Sequence, residues 1–252
     1  MSSNGFRSAV TMLALAALAG GAMAAPDYAR EKRLADEVVP SVVVGDAVTI
    51  ETGGGRKFFG ILTLAEKPRA SVILVHGLGV HPDFGLIGAL RTQLADRGYT
   101  TLSIQMPVLA ADADAKGYTE LFPEAGERIA AALDYLRVKG AGKIAIVSHS
   151  MGARMANDFL KRRPDAPLMA WVAVAISTGE FDSLAGLRFP VFDIYAQKDF
   201  EVVLKGAAGR AAVLRRIQGS KQAMVYGADH YFAKKEKEVA ALIEQLLAPL
   251  SK

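Results

Sequence analysis

Apolar and polar positions along this chain repeat on two periods, and the switches between them mark the elements. Residues 42–51 and 57–66 read as two strands. Thr52-Gly53-Gly54-Gly55 between them reads as a hairpin turn, because glycine takes positive φ without steric cost. Pro68 ends the second strand. Residues 70–75 are an almost unbroken apolar run, which suits a strand buried on both faces of a parallel sheet. Ile87, Leu90 and Leu94 then recur at helical spacing, and Gly98 stands where a C-cap is needed. A strand follows over 100–105, ended by Pro107. Ile129, Ala132, Leu133 and Leu136 mark the next helix, closed by Gly140 and Gly142. Residues 143–147 are strand-like. Residues 153–163 are helix-like, with Met155, Ala156, Phe159 and Leu160 as a core-facing stripe. Strands are predicted at 168–176, around the core residue Trp171, and at 191–196 and 222–226. A weaker helix lies over 202–216. The last helix begins near residue 234, with Val239, Leu242, Ile243 and Leu246 inward and Lys234, Lys235 and Lys237 in water. A hairpin followed by alternating strand and helix predicts an α/β fold with a mostly parallel sheet of about seven to eight strands, an antiparallel start and flanking helices. Parallel crossovers gather the strand ends on one edge, where ligands bind.

The stretches outside this alternation carry other signals. Residues 1–24 read as a secretory signal peptide: Arg7, an apolar segment over 9–19 too short to span a bilayer, and the cleavage site Ala22-Met23-Ala24. Cleavage would leave Ala25 first and no stable membrane span, and it implies a periplasmic or secreted protein. Residues 25–40 read as a polar leader packed loosely on a domain over 41–252. Residues 108–119, with Asp112, Asp114 and Lys116, have no periodicity and read as a solvated loop or a flap beside a site. Residues 177–190 are too few to hold a cap domain.

Composition narrows the function classes. Apolar residues make up 51% of the 252-residue chain and charged residues 22%, which is a globular composition. The net charge of +4 is scattered, so no nucleic-acid partner is expected. There is no cysteine, hence no disulfide and no thiol nucleophile. No pattern points to a particular oligomeric state.

Between the strand at 143–147 and the helix at 153–163 stands Ser148-His149-Ser150-Met151-Gly152. A strand-to-helix turn this tight needs small flanking residues, and it pushes its central side chain out at the sheet edge. Serine replaces glycine at the first position, and Gly152 is retained. A serine hydroxyl becomes a good nucleophile only when a base, oriented by a carboxylate, takes its proton. Asp199 and His230 follow in that order, each in a loop after its own strand. Asp182 is the main substitute for the acid, with Glu180 beside it. Asp193 reads as a surface or strand-end carboxylate and Asp229 as a turn residue. The chain has four histidines, His76, His81, His149 and His230. They lack a helical H-E-x-x-H spacing and have no cysteine beside them, so neither a metal nor a cofactor is expected. His76 and His149 are expected to make local hydrogen bonds and shape the pocket floor, and His81 to be exposed.

With Val75-His76-Gly77-Leu78-Gly79, residues 148–152, 195–199 and 227–230, the chain resembles the α/β-hydrolase superfamily over about residues 42–250. It is most similar to small, lidless, dienelactone-hydrolase-like members, which often carry a cysteine nucleophile where this chain has serine. The resemblance implies the α/β-hydrolase fold without a cap. It also implies Ser150 as nucleophile, His230 as base and then acid, and Asp199 as orienting carboxylate. The oxyanion hole would be the backbone N–H groups of Leu78 and Met151, with His76, Gly77, His149 and Gly152 shaping the site. The implied substrate is a small acyl ester or thioester, cleaved through an acyl-enzyme. Peptidase and acyltransferase chemistry share this triad. The alternative, motivated by Ser148 and the loop at 108–119, is a catalytically silent scaffold that binds a periplasmic ligand or partner.

Overall fold

The computed structural model describes residues 25–252; the signal-peptide reading over 1–24 lies outside them. Eight strands form one sheet in the order β1-β2-β4-β3-β5-β6-β7-β8. They are β1 Asp46–Glu51, β2 Lys57–Thr63, β3 Ala70–Val75, β4 Tyr99–Ile104, β5 Ile144–His149, β6 Ala170–Val174, β7 Val191–Lys198 and β8 Lys221–Asp229. β1 pairs antiparallel with β2 and β2 with β4; every later pairing is parallel. Among the described residues, six α-helices flank the sheet: α1 Tyr28–Val38, α2 Gly85–Asp96, α3 Phe122–Val138, α4 Met151–Arg162, α5 Glu201–Leu214 and α6 Glu236–Leu247. Residues 175–190 join β6 to β7 with no inserted domain.

The unbroken apolar runs have a direct cause. β3 lies between two partners and is buried on both faces, so alternate residues enter different cores. Ile73 and Val75 pack with Ile129, Phe159 and Trp171 under α3 and α4. Val72 and Leu74 pack with Leu90, Val239 and Ile243 under α2 and α6. β1 starts four residues later than the apolar pattern suggests. Residues 42–45 lie before the ladder, and Val43 is 92% exposed.

Residues 25–40 depart from the expected loose leader. They form α1, whose N-cap Asp27 accepts the Arg30 N–H at 2.8 Å, and the Asp27 N–H donates to the Val108 carbonyl at 2.7 Å. Glu31 is buried against Arg128 of α3, with contacts of 2.9 and 3.1 Å. Burial pushes the Glu31 carboxyl up, while the Arg128 charge pulls it down. The polar sequence conceals this docking because the partner lies 97 residues away. Arg128 also bonds Glu124 and the Gln105 carbonyl. Removing one member of a buried pair leaves the other charge less compensated, and because Arg128 keeps Glu124 the low end of the usual cost applies. Glu31→Ala is therefore expected to cost about 3 kcal/mol and to lower Tm by roughly 6–12 °C in thermal circular dichroism. An unchanged Tm would show that this pair does not anchor α1.

The segment at 108–119 is also more ordered than a solvated loop. Val108, Leu109 and Tyr118 are buried, and the Tyr118 hydroxyl accepts the Leu109 N–H at 3.2 Å. A 3-10 turn over Ala115–Leu121 leads into α3, which leaves residues 110–116 as the exposed part. Asp193 is not a surface carboxylate. It is fully buried on β7, where Arg210 Nε and Gln222 Nε2 each donate to it at 2.8 Å. Its sequence neighbours give no sign of this, since both partners arrive from later elements.

Candidate active site

β5 runs into α4 through Ser150, whose φ of 56° and ψ of −117° are rare for a residue with a side chain. Such strain persists only where the surroundings impose it. Gly152 shows the constraint: a Cβ there would lie 2.2 Å from the His76 carbonyl oxygen and 2.6 Å from that of Val75. The N-terminus of α4 is thus pressed against the end of β3, and only glycine fits. Ser148 sits in β5 between Val75 and Ala173 and has a use for its hydroxyl. Its Oγ accepts the Trp171 indole N–H at 2.8 Å, so a buried donor that a glycine would leave unpaired is satisfied.

The three residues named from chain order meet at the carboxyl edge of the sheet. Ser150 Oγ lies 2.9 Å from His230 Nε2, and His230 Nδ1 lies 2.5 Å from Asp199 Oδ1. Asp199 is held in the turn after β7: Oδ2 accepts the Ala196 N–H at 3.0 Å and Oδ1 the Phe200 N–H at 2.9 Å. An ionised carboxylate only accepts, so Nδ1 carries the imidazole proton and Nε2 is free to accept from the serine. The Phe200 ring stacks on His230 at 3.8 Å, and Tyr231 meets it edge-on at 5.4 Å. Asp182 is elsewhere. It is exposed and bonded to Lys161 at 2.8 Å, and that hydrogen bond holds its carboxyl low. Asp229 caps its own turn by accepting the Tyr231 N–H at 3.0 Å.

Leu78 and Met151 flank Ser150, and among the described residues neither backbone N–H has a hydrogen-bond partner. The direction of the Leu78 N–H is set by His76. The His76 Nδ1–H donates to the Gly77 carbonyl at 2.8 Å, while Nε2 accepts the Met106 N–H at 2.9 Å. Gly77 C=O and Leu78 N–H belong to one planar trans peptide, so pinning the carbonyl on one side aims the N–H to the other. Arg30 of α1 supports the same loop, donating to the Gly79 carbonyl at 2.8 Å and the Leu109 carbonyl at 2.6 Å. The Met151 N–H opens α4, where the helix dipole adds partial positive charge.

His149 lines the cavity and donates from Nε2 to the His230 carbonyl at 2.9 Å, steadying the loop that carries His230. His76 lies behind the Gly77 loop rather than on the pocket floor, since its bonds lead to Gln105 and Met106 just past β4 and it does not line the cavity. His81 is half-buried rather than exposed, because it accepts the Asp83 N–H at 3.3 Å and packs edge-on against Phe84. Burial lowers His76 to about 3 and His149 to about 4, so both are neutral when folded. Below about pH 6.5 an unfolded histidine takes up a proton that these folded ones refuse. Their contribution to stability is therefore complete above that pH and is lost as pH falls toward 4. Glu31 and Asp193, raised by burial, act in the opposite sense at acidic pH. His149→Gln is accordingly expected to flatten the fall of Tm between pH 6.5 and 4.5 relative to wild type. Parallel Tm curves would contradict a buried neutral His149.

The cavity over Ser150 encloses about 430 Å³ between Leu78, Phe84, Ile87, Met151, Phe200 and Tyr231. Ala115, from the exposed part of the 108–119 segment, reaches its edge. Larger clefts of about 520 and 810 Å³ lie away from Ser150, and no histidine lines either. Sequence patterns do not reveal Phe200 stacked on His230, Arg30 on the Gly79 loop or Arg154 in the cavity wall. None belongs to a motif, and each acquires its place by folding.

An antiparallel start, parallel strands beyond it and a serine on the turn after β5 define this as an α/β-hydrolase fold, with no cap domain inserted between strands among the described residues. The chain belongs to the DUF3530 family, described as proteins of unknown function, which matches residues 16–123 and 110–221. No curated protein matches it. Solved structures share the fold. A lidless α/β serine hydrolase from Xanthomonas campestris has a TM-score of 0.64 at 14% identity, covering 82% of this chain and 95% of that one. Dienelactone hydrolase from Anabaena variabilis has a TM-score of 0.64 at 19% identity, covering 81% and 97%. Est1E from Butyrivibrio proteoclasticus has a TM-score of 0.64 at 16% identity, covering 82% and 98%, and has also been solved with ferulic acid bound.

Proposed function

We propose that this protein is a serine hydrolase that cleaves carboxylic esters or thioesters through an acyl-enzyme. The observation that carries this reading is the continuous hydrogen-bonded line from Ser150 Oγ through His230 to Asp199. His230 Nε2 takes the proton as Ser150 Oγ attacks the acyl carbon, and Asp199 stabilises the imidazolium that forms. The negative oxygen of the tetrahedral intermediate accepts from the Leu78 and Met151 N–H groups. As the intermediate collapses, the C–O or C–S bond breaks and the leaving group receives the proton from His230. Water, deprotonated by the same histidine, then attacks the acyl-enzyme and releases the acid and free Ser150.

The fold neighbours, among them a serine hydrolase and a dienelactone hydrolase, agree with a hydrolase role. The cavity is partly open and among the described residues no cap covers it, which favours small acyl groups over long lipid chains. The silent-scaffold alternative loses one of its two motives, because Ser148 is accommodated by Trp171 rather than distorting the turn. The signal-peptide pattern at 1–24 supports action in the periplasm or outside the cell, with no membrane span in the mature protein. Among the described residues, no helix is long and apolar enough to cross a membrane.

A fluorophosphonate probe tests the reading, since it forms a stable phosphonyl ester only with an activated serine. Wild type is expected to be labelled at Ser150 in intact-mass and peptide spectra, and Ser150→Ala to remain unlabelled. Unlabelled wild type, or labelling that persists in the variant, would reject the assignment.

A further inference from the structure

Arg154 is a cation in the wall of the Ser150 cavity that forms no ion pair among the described residues. It lies on α4, one turn beyond Ser150, and its own N–H reaches the Ser150 carbonyl at 3.4 Å. Its guanidinium contacts are soft ones: Nη1 is 3.6 Å from Met151 Sδ, and Cζ is 5.4 Å from the centre of the Phe122 ring. The fully buried arginines of this chain are treated differently. Arg91 is paired with Asp83, Arg128 with Glu31 and Arg210 with Asp193. Of the carboxylates that line an adjoining cleft with Arg154, Asp158 pairs with Arg162 at 2.9 Å and Asp182 with Lys161 at 2.8 Å. Glu180 lines an adjoining cleft with Arg154 but forms no ion pair with it among the described residues. No carboxylate lines the Ser150 cavity itself.

A second group in the same wall is unsatisfied. Ser177 Oγ is buried and has no hydrogen-bond partner, although a buried hydroxyl normally finds one. Arg154 is half-buried and keeps part of its contact with water, whereas the Ser177 hydroxyl is buried without a partner, and an anionic ligand would offer both a partner. Arginine suits this task because its planar fork matches a carboxylate.

The side of the substrate follows from the geometry of proton transfer. His230 protonates the leaving group, so that group lies toward His230, Phe200 and Tyr231. Arg154 packs on Met151, whose N–H is one of the two oxyanion donors, and on Phe122. With the leaving group placed toward His230, this side is left for the acyl group.

We propose that Arg154 binds a carboxylate at the far end of the acyl group, and that the substrate class is the half-esters or half-thioesters of short dicarboxylic acids. This inference rests on the hydrolase reading above and adds the acyl group to it.

The test compares two p-nitrophenyl esters of equal chain length, the glutarate half-ester and the valerate, on the purified protein. A charge-assisted hydrogen bond predicts a kcat/KM ratio favouring the glutarate by roughly 10- to 100-fold in wild type. Arg154→Met is expected to bring that ratio close to one, and Arg154→Lys to keep part of it. Free glutarate is expected to slow fluorophosphonate labelling of wild type but not of Arg154→Met, a readout that needs no turnover. A wild-type ratio near one, or a ratio that survives in Arg154→Met, overturns the inference while the hydrolase reading stands. So does a preference for 4-acetoxybenzoate over phenyl acetate without one for the glutarate, because the anion would then sit on the leaving-group side. Wild type that neither turns over an ester nor takes the label brings down both readings.

Discussion

Ser150→Ala is expected to lower kcat for a short p-nitrophenyl ester by about 10⁴-fold or more. The size of the effect follows from the chemistry. Alanine leaves His230 with no hydroxyl to deprotonate, so the covalent route closes and only water positioned by the oxyanion donors can attack. The residual rate is therefore expected to be low but above background hydrolysis, with KM little changed because the cavity walls are intact. Backbone strain gives a second readout. Ser150 sits at φ 56° and the variant keeps a Cβ there, so the fold is expected to survive with a similar Tm. A folded Ser150→Ala protein that retains most of the ester turnover would show that another group is the nucleophile.

Asp199→Asn is expected to cost about 10⁴-fold in kcat at neutral pH, although it changes one atom. Both carboxylate oxygens already receive backbone N–H donors, Oδ2 from Ala196 and Oδ1 from Phe200, while Oδ1 also accepts from His230. An asparagine has one acceptor and one donor, so one of these sites must then face a donor with a donor. If the amide NH₂ faces His230, Nδ1 becomes the acceptor and the ring proton moves to Nε2, where it can no longer take one from Ser150. If the amide oxygen faces His230, the NH₂ meets the Ala196 N–H and the turn is destabilised. The variant also lacks the negative charge that stabilises the imidazolium. Steady-state kinetics check this: kcat falls while KM stays near the wild-type value. Activity within about tenfold of wild type, together with a large loss in Asp182→Asn, would transfer the acid's role to Asp182.

The fold and the chemistry were legible in the sequence to different depths. Strand β3 was readable residue for residue, because an element buried on both faces leaves an unbroken apolar run. β1 was read too long, because Val42, Val43 and Val44 are apolar but precede the ladder. The polar leader was misread as loose and Asp193 as exposed for a shared reason. A buried charge is recognised by its partner, and Arg128, Arg210 and Gln222 are supplied by distant parts of the chain. His76 makes a local hydrogen bond to the Gly77 carbonyl, but its bond to the Met106 N–H and the bond of His149 to the His230 carbonyl join distant segments and follow from how the loops close.

What the sequence determined by itself was the order of elements from β1 onward and the turn at residues 148–152. These depend on short-range rules: hydrophobic period, glycine where φ or close approach demands it, and a loop residue after each strand. The meeting of Ser150, His230 and Asp199, the aim of the Leu78 N–H and the solitary charge of Arg154 were decided only by tertiary structure. Each is a relation between groups far apart in the chain or between a side chain and the partners it lacks. Periodicity records which face of an element is buried, whereas packing decides what that face meets.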